Sequence, residues 1–136
     1  MSEMRFGGGL AKWSPYMLSI CRIIAGLLYM EHGMQKLLNF PAGEHGAVAL
    51  FSFFGFAGVL EFVGGALLVL GLFTRPAAFI LSGQMAVAYF MAHAPRSFFP
   101  AQNGGDAAIL FCFFFLYLVF SGAGAWSADA LRERRT

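Results

Sequence analysis

The residues most able to do chemistry are the ionisable side chains that interrupt long apolar segments. Near the end of the first such segment the sequence contains four of them in one run: Tyr29, Glu31, His32 and Lys36. His32 and Lys36 are four residues apart, so on a helix they share a face with each other. Histidine exchanges protons near neutral pH, and lysine stabilises an anion. This pattern predicts proton transfer or the binding of a polar ligand.

A second group of polar residues lies between the third and fourth apolar segments. His93 ends the third segment, and Asn103-Gly-Gly-Asp106 opens the fourth. If neighbouring helices are antiparallel, both groups meet at the same end of the protein. We therefore predict one site there, whose members divide into two sets. The candidate proton-exchanging residues are His32, Glu31 and Glu61, and the candidate ligand-binding residues are Lys36, His93, Arg96, Asp106, Asn103 and Tyr29.

Each of these residues also has a purely structural interpretation. Asn103 can cap a helix, and Asp106 can stabilise the first turn of the fourth segment through the helix dipole. Lys36 and Arg96 can extend toward lipid phosphates. The coincidence of these residues with two histidines and a glutamate favours a functional site.

Three further polar residues lie deeper, within apolar segments: Arg22, Glu61 and Gln84. The long arginine side chain could reach Glu61 on the next segment, so we predict a structural ion pair between Arg22 and Glu61 that fixes the register of the helices. An unpaired Glu61 would instead indicate a proton-carrying site, because ionisable groups within membrane segments are costly and usually functional.

The elements that must position these residues are transmembrane helices. Hydrophobic residues make up 59% of the sequence and charged residues 12%, against about 25% charged residues in soluble domains. The apolar segments span residues 16–38, 47–73, 76–94 and 107–125. Each is close to the ~20 residues that cross a bilayer as a helix, and each is too long for a barrel strand. We predict one all-α domain over residues 1–136, an up-down bundle of four transmembrane helices in contact with lipid.

The distribution of Lys and Arg predicts the orientation of that bundle. An even number of spans places both termini on one side of the membrane, and that side carries Arg5, Lys12, Arg75, Arg132, Arg134 and Arg135. The other side carries only Lys36 and Arg96. By the positive-inside rule both termini are cytoplasmic, and the polar site lies at the periplasmic mouth of the bundle. A net charge of +2 without a basic run argues against a nucleic-acid partner.

Metal and haem chemistry find little support in the sequence. The two cysteines, Cys21 and Cys112, form neither a CxxC motif nor a Cys/His spacing typical of metal sites. His32 and His93 could in principle provide two axial haem ligands. Many bulky phenylalanines compete for the same volume, so we expect neither haem nor a bound metal.

Four groups of residues, in this order along the chain, resemble the DoxX family of bacterial membrane proteins. The groups are Arg22, Gly26 and His32 to Leu37; Glu61 to Gly65 with Gly71, Thr74 and Arg75; Met85, Ala88, Ala92 and His93; and Asn103 to Asp106 with Gly122 to Asp129. The resemblance covers nearly the whole chain. The family more often has glutamate after Asn-Gly-Gly, so Asp106 is a conservative departure.

The resemblance implies a four-helix protein of the bacterial cytoplasmic (inner) membrane. Some relatives are named as subunits of a thiosulfate:quinone oxidoreductase, and others are linked to redox or detoxification systems. Together with the polar mouth, this predicts a subunit of, or an accessory to, a quinone-linked oxidoreductase, with quinone as the cofactor and a partner protein or a second copy as the partner. Two alternatives stay open: a non-catalytic membrane anchor or assembly partner, and a small-molecule or proton pathway. Whether the chain is itself an enzyme also stays open.

Overall fold

Four long helices dominate the computed structural model, which describes residues 8–135 and contains no strand among them. Arg5 and the side chain of Arg135, both used to predict the orientation, lie outside that description. The long helices are α1 (Ser14–Leu38), α2 (Phe53–Leu70), α3 (Thr74–Ala88) and α4 (Asp106–Ser121), followed by a terminal helix α5 (Ala128–Arg135). A π-helical turn (Tyr89–His93) and a 3₁₀ turn (Ala94–Arg96) extend α3, and shorter helical turns occur at Gly8–Ala11 and Pro100–Asn103.

Several predicted boundaries differ from the observed ones, and two of the differences have clear local reasons. The second helix begins at Phe53 and not at residue 47, because the Ser52 hydroxyl caps it by accepting a hydrogen bond from the Gly55 amide at 3.1 Å. The fourth helix ends at Ser121 and not at residue 125. Gly122 follows it with φ at 78°, a left-handed conformation that stops the helix.

Close contact between α1 and α2 depends on glycine. A Cβ placed on Gly33 would lie 2.6 Å from the backbone nitrogen of Phe62 and 2.7 Å from the carbonyl oxygen of Gly58. Helices that lack side chains at such points can approach until their backbones touch. The contact sets the register between the two antiparallel helices, and it brings Lys36, one turn beyond Gly33, alongside Glu61.

Helices α3 and α4 form a second antiparallel pair. The Ser82 hydroxyl donates to the carbonyl oxygen of Cys112 at 2.7 Å near the middle of the pair. At one end the Arg75 guanidinium donates to the carbonyl oxygens of Val119 and Phe120, both at 2.8 Å. These bonds satisfy carbonyl groups in the last turn of α4, for which no following turn of the helix supplies amide donors.

Arg22 ties the two pairs together at that same end. Its fully buried guanidinium donates to the carbonyl oxygens of Leu68 at 2.7 Å and Trp126 at 2.8 Å, and also to that of Ala123. One side chain of α1 therefore holds the end of α2 and the segment that follows α4. Because its hydrogen-bond acceptors are neutral carbonyl groups and the Ser19 hydroxyl, Arg22 acts in the fold as a donor of several hydrogen bonds.

Asp129 of α5 completes the closure of this end. Its two carboxylate oxygens accept hydrogen bonds from the amides of Phe73 and Thr74, at 2.9 and 3.0 Å, and so cap the beginning of α3. The Asp129 amide donates to the Gly71 carbonyl at 2.9 Å. The helices are thus fastened at the end where α1 begins and α4 ends.

Among residues 8–135, two helical segments are long and apolar enough to cross a membrane. They are Phe53–Leu70, with a mean hydropathy of 2.1, and Thr74–Arg96, with a mean hydropathy of 1.3. Only 28% and 22% of these windows are buried inside the protein, whereas the core helix of a soluble protein is mostly buried. Their outward surfaces are therefore suited to lipid. α1 has 25 residues but carries more polar side chains, and α4 is apolar but shorter.

Replacing Gly33 by alanine tests the glycine contact between α1 and α2. The added methyl group meets backbone atoms, which cannot rotate away, so we expect a loss of about 1–3 kcal/mol of stability. The apparent melting temperature of the purified protein in mild detergent measures this. Gly83→Ala is the matched control, because nothing lies within 4 Å of a Cβ there and alanine favours the helix. Equal melting temperatures for the two variants would contradict the contact.

Candidate functional site

A cavity of about 650 Å³ lies between the α1–α2 pair and the α3–α4 pair, toward the end opposite Arg22. Its size falls within the range typical of small-molecule sites, which are mostly apolar with a few placed polar groups. Alanine, methionine and phenylalanine side chains of α2, α4 and α3 with its extension line much of the wall, and α1 contributes polar side chains. The polar side chains that line it are Tyr29, His32, Lys36, Glu61, Gln84 and His93.

Glu61 is a deeply buried carboxylate in the wall of this cavity, with 2% of the residue exposed. One carboxylate oxygen, Oε1, accepts from the Lys36 ammonium at 2.5 Å and from the Gln84 amide at 3.3 Å. Lys36 is 31% exposed at its side chain, so its stem spans from the surface to the interior. The other oxygen, Oε2, is buried and has no hydrogen-bond partner among the described residues.

Gln84 links Glu61 to Tyr29 through a hydrogen-bond chain. The Tyr29 hydroxyl donates to Gln84 Oε1 at 2.7 Å, and Gln84 Nε2 donates to the Ala57 carbonyl at 3.3 Å as well as to Glu61. The amide nitrogen therefore faces two acceptors and the amide oxygen faces a hydroxyl, which assigns the orientation of the side chain. The chain holds the Glu61 carboxylate in one position.

His93 also lines the cavity, in the π-helical turn that extends α3. Its Nδ1 lies 3.0 Å from the carbonyl oxygen of Asn103. A carbonyl oxygen can only accept, so Nδ1 carries the hydrogen in this contact and Nε2 is the ring nitrogen left for a ligand. The Tyr89 ring stacks on the imidazole with centroids 6.3 Å apart. Such π-helical turns are frequent at functional sites.

Asn103 helps to position His93 and Tyr89. Its buried side chain donates to the Tyr89 hydroxyl at 3.1 Å and to the Ser97 carbonyl at 3.0 Å, and it accepts from the Gly105 amide at 2.8 Å. Every polar atom of the amide is thus engaged within the protein. Asn103 does not line the cavity, and it acts by fixing the loop whose carbonyl group orients His93.

The predicted ion pair between Arg22 and Glu61 is wrong. Glu61 is paired with Lys36, and Arg22 donates to backbone carbonyl groups near the other end of α2. Arg22 is level with Leu68, which lies seven residues, or about 10 Å, along the helix from Glu61. The two side chains therefore occupy different layers of the protein.

The structure brings together some of the predicted site residues and separates others. Tyr29, His32, Lys36, Glu61 and His93 line one cavity, and Gln84 joins them as a residue that sequence reasoning placed in the interior but not in the site. Glu31, Arg96 and Asp106 are exposed and do not line it. Glu31 projects from a different face of α1 than Lys36, as the helical period requires.

The fold and the cavity are those of a helical protein whose outer surfaces are suited to lipid and whose interior contains a cavity large enough for a small molecule. The DoxX family model matches residues 17–94, a range that contains every polar side chain lining the cavity. The chain belongs to the DoxX family, as its motifs predicted.

Two relatives are similar over most of their length. An uncharacterized protein of Haemophilus influenzae is 49% identical over 126 residues, which cover 88% of this chain and 93% of that protein. An uncharacterized membrane protein of Mycobacterium tuberculosis is 28% identical over 141 residues, which cover 92% of this chain and 86% of that protein. No solved structure matches. The family and the second relative support the prediction of a membrane protein.

A double-mutant cycle tests the pairing of Lys36 with Glu61. Lys36→Met leaves a buried carboxylate without its counterion, which we expect to cost about 3–5 kcal/mol of unfolding free energy. In the Lys36→Met, Glu61→Gln double variant the cost should be smaller than the sum of the two single changes, because no uncompensated charge is left. Unfolding in mild detergent measures the cycle, and Lys12→Met, at an exposed lysine, is the control. Strict additivity would contradict the pairing.

Proposed function

We propose that this protein crosses the bacterial cytoplasmic membrane four times, with both termini in the cytoplasm and the cavity near the periplasmic face. Support comes from the two segments that satisfy the length and hydropathy of a span, and from the alternating direction of α1 to α4. Lys12, Arg75 and Arg132 lie at the fastened end, where the positive-inside rule expects cytoplasmic cations. Bacterial relatives of similar length include a membrane protein.

We also propose that the protein is a membrane subunit of, or an accessory to, a quinone-linked oxidoreductase, and that its cavity binds the quinone. The observation that carries this is the buried Oε2 of Glu61, which has no hydrogen-bond partner among residues 8–135 and belongs to the wall of a mostly apolar cavity. An unsatisfied buried oxygen costs about 1–3 kcal/mol, so a ligand that brings a hydrogen-bond donor to it is stabilised. The residues fit the group: apolar walls suit a ring and its tail, and a few polar atoms suit its oxygens.

Within such a site the residues of this chain would bind, orient and exchange protons. Lys36 has ammonium hydrogens beyond the one on Glu61 and can donate to a ligand oxygen. Glu61 Oε2 and the free nitrogen of His93 can accept protons. Bound quinone supplies two-electron redox chemistry, and the electrons would pass to or from a partner protein that carries a redox centre. Lipid and that partner, or a second copy of the chain, would cover the outward apolar surfaces.

Filling the cavity tests this function against a purely anchoring role. Ala88 lines the cavity, so Ala88→Leu should weaken the binding of a decyl-substituted benzoquinone, offered in oxidised and reduced forms, by about tenfold or more. Titration of the purified protein in mild detergent measures this, together with mass spectrometry of co-purified quinones. Gly83→Leu, on the same helix but facing open space, is the control and should bind like the unmodified protein.

The outcomes separate the alternatives. Binding that is lost in Ala88→Leu and kept in Gly83→Leu supports a quinone site in the cavity. A folded protein that binds neither redox form and carries no quinone would contradict the proposal. If that protein nevertheless co-purified with a soluble enzyme, the anchor or assembly role would take its place.

A further inference from the structure

Around Glu61, the hydrogen-bond donors of Tyr29 and Gln84 have acceptors, but one acceptor atom has no donor among the described residues. The Tyr29 hydroxyl hydrogen is donated to Gln84, and both hydrogens of the Gln84 amide face acceptors, the Ala57 carbonyl and Glu61 Oε1. The Tyr29 hydroxyl and the Gln84 amide therefore have no hydrogen left to donate to a ligand. Glu61 Oε2 is left over, and a carboxylate oxygen can only accept.

His93, on the extension of α3, shows the same excess of acceptors. His93 directs its Nδ1 hydrogen to the Asn103 carbonyl, so the neutral ring offers a lone pair on Nε2. The Asn103 amide is itself fully engaged with Tyr89, Ser97 and Gly105 and has no hydrogen to spare. The cavity thus presents acceptors on Glu61 and His93, while Lys36 and His32 are the lining side chains that can donate to a ligand.

These acceptors discriminate between the two redox forms of a quinone. A hydroquinone carries hydroxyl groups, which can donate to Glu61 Oε2 while their oxygen accepts from Lys36. A quinone carries carbonyl oxygens, which can accept from Lys36 but would face Oε2 with no hydrogen between two acceptors. The carboxylate oxygen would then stay buried and unsatisfied.

Resting on the proposed quinone site, we propose that the cavity is selective for the reduced form: it binds a hydroquinone through a hydroxyl group donated to Glu61 Oε2, with His93 as the second acceptor. The protein then binds the hydroquinone, and Glu61 Oε2 and the free nitrogen of His93 are the groups that would receive its hydroxyl protons. A charge-assisted hydrogen bond is stronger than a neutral one, so the expected preference is about tenfold or more in dissociation constant.

The test compares the decyl-substituted benzoquinone with its hydroquinone, titrated anaerobically into the same detergent-purified protein. We expect the hydroquinone to bind about tenfold or more tightly. In Glu61→Gln the amide oxygen can keep its place against Lys36 while the NH₂ group replaces Oε2, so a donor now faces the cavity. We expect this variant to lose the preference or to reverse it. Glu44→Gln, the same change in an exposed loop outside the cavity, should keep the preference.

The possible results of these titrations distinguish the selectivity from the quinone site itself. Equal binding of both forms, or tighter binding of the quinone by the unmodified protein, overturns the selectivity and leaves the quinone site standing. Binding of neither form overturns the site and the selectivity together. A preference that survives intact in Glu61→Gln overturns the assignment to Oε2. Should Glu61→Gln not fold, as judged by gel filtration, the ratio measured on the unmodified protein still decides the proposal.

Discussion

The ion pair between Lys36 and Glu61 is the interaction on which the interior of this protein depends. A carboxylate placed among apolar helices is costly unless a cation and further hydrogen bonds compensate it. Both are present here, but they converge on a single oxygen, Oε1. The pair thus makes it possible to keep a charged group in the interior while its second oxygen stays available. Oε1 is held by the protein, whereas Oε2 is left without a hydrogen-bond partner among the described residues. This difference between the two oxygens gives the mostly apolar cavity a polar atom that could bind a ligand.

The same requirement, that buried polar groups find partners, gives the protein two different ends. At one end Arg22 donates to carbonyl groups of three chain segments and Asp129 caps α3, so the helices are fastened. Toward the other end a cavity lies between the two helix pairs, and Gly104, next to Asn103, lines it. The result is a cavity that both Glu61 and His93 line.

Much of this arrangement could be predicted from the sequence. Hydropathy located the helices, and the positions of His32, Lys36 and His93 predicted a polar site at one end, because residues near helix ends meet whenever neighbours are antiparallel. The partner of Glu61 could not be predicted in this way. Depth along a helix is known from residue counts only to within a few ångströms, whereas register depends on which glycines touch. Gly33 and Gly58 shift Glu61 toward Lys36 and away from Arg22.

The role of Glu61 Oε2 can be measured directly by infrared difference spectroscopy. The central claim is that this oxygen accepts a hydrogen bond from the bound ligand. Adding the hydroquinone anaerobically to the protein should shift a carboxylate stretching band, and the shift should be absent in Glu61→Gln. Ligand bands that change while every carboxylate band stays in place, or a shift that persists in Glu61→Gln, would contradict the account.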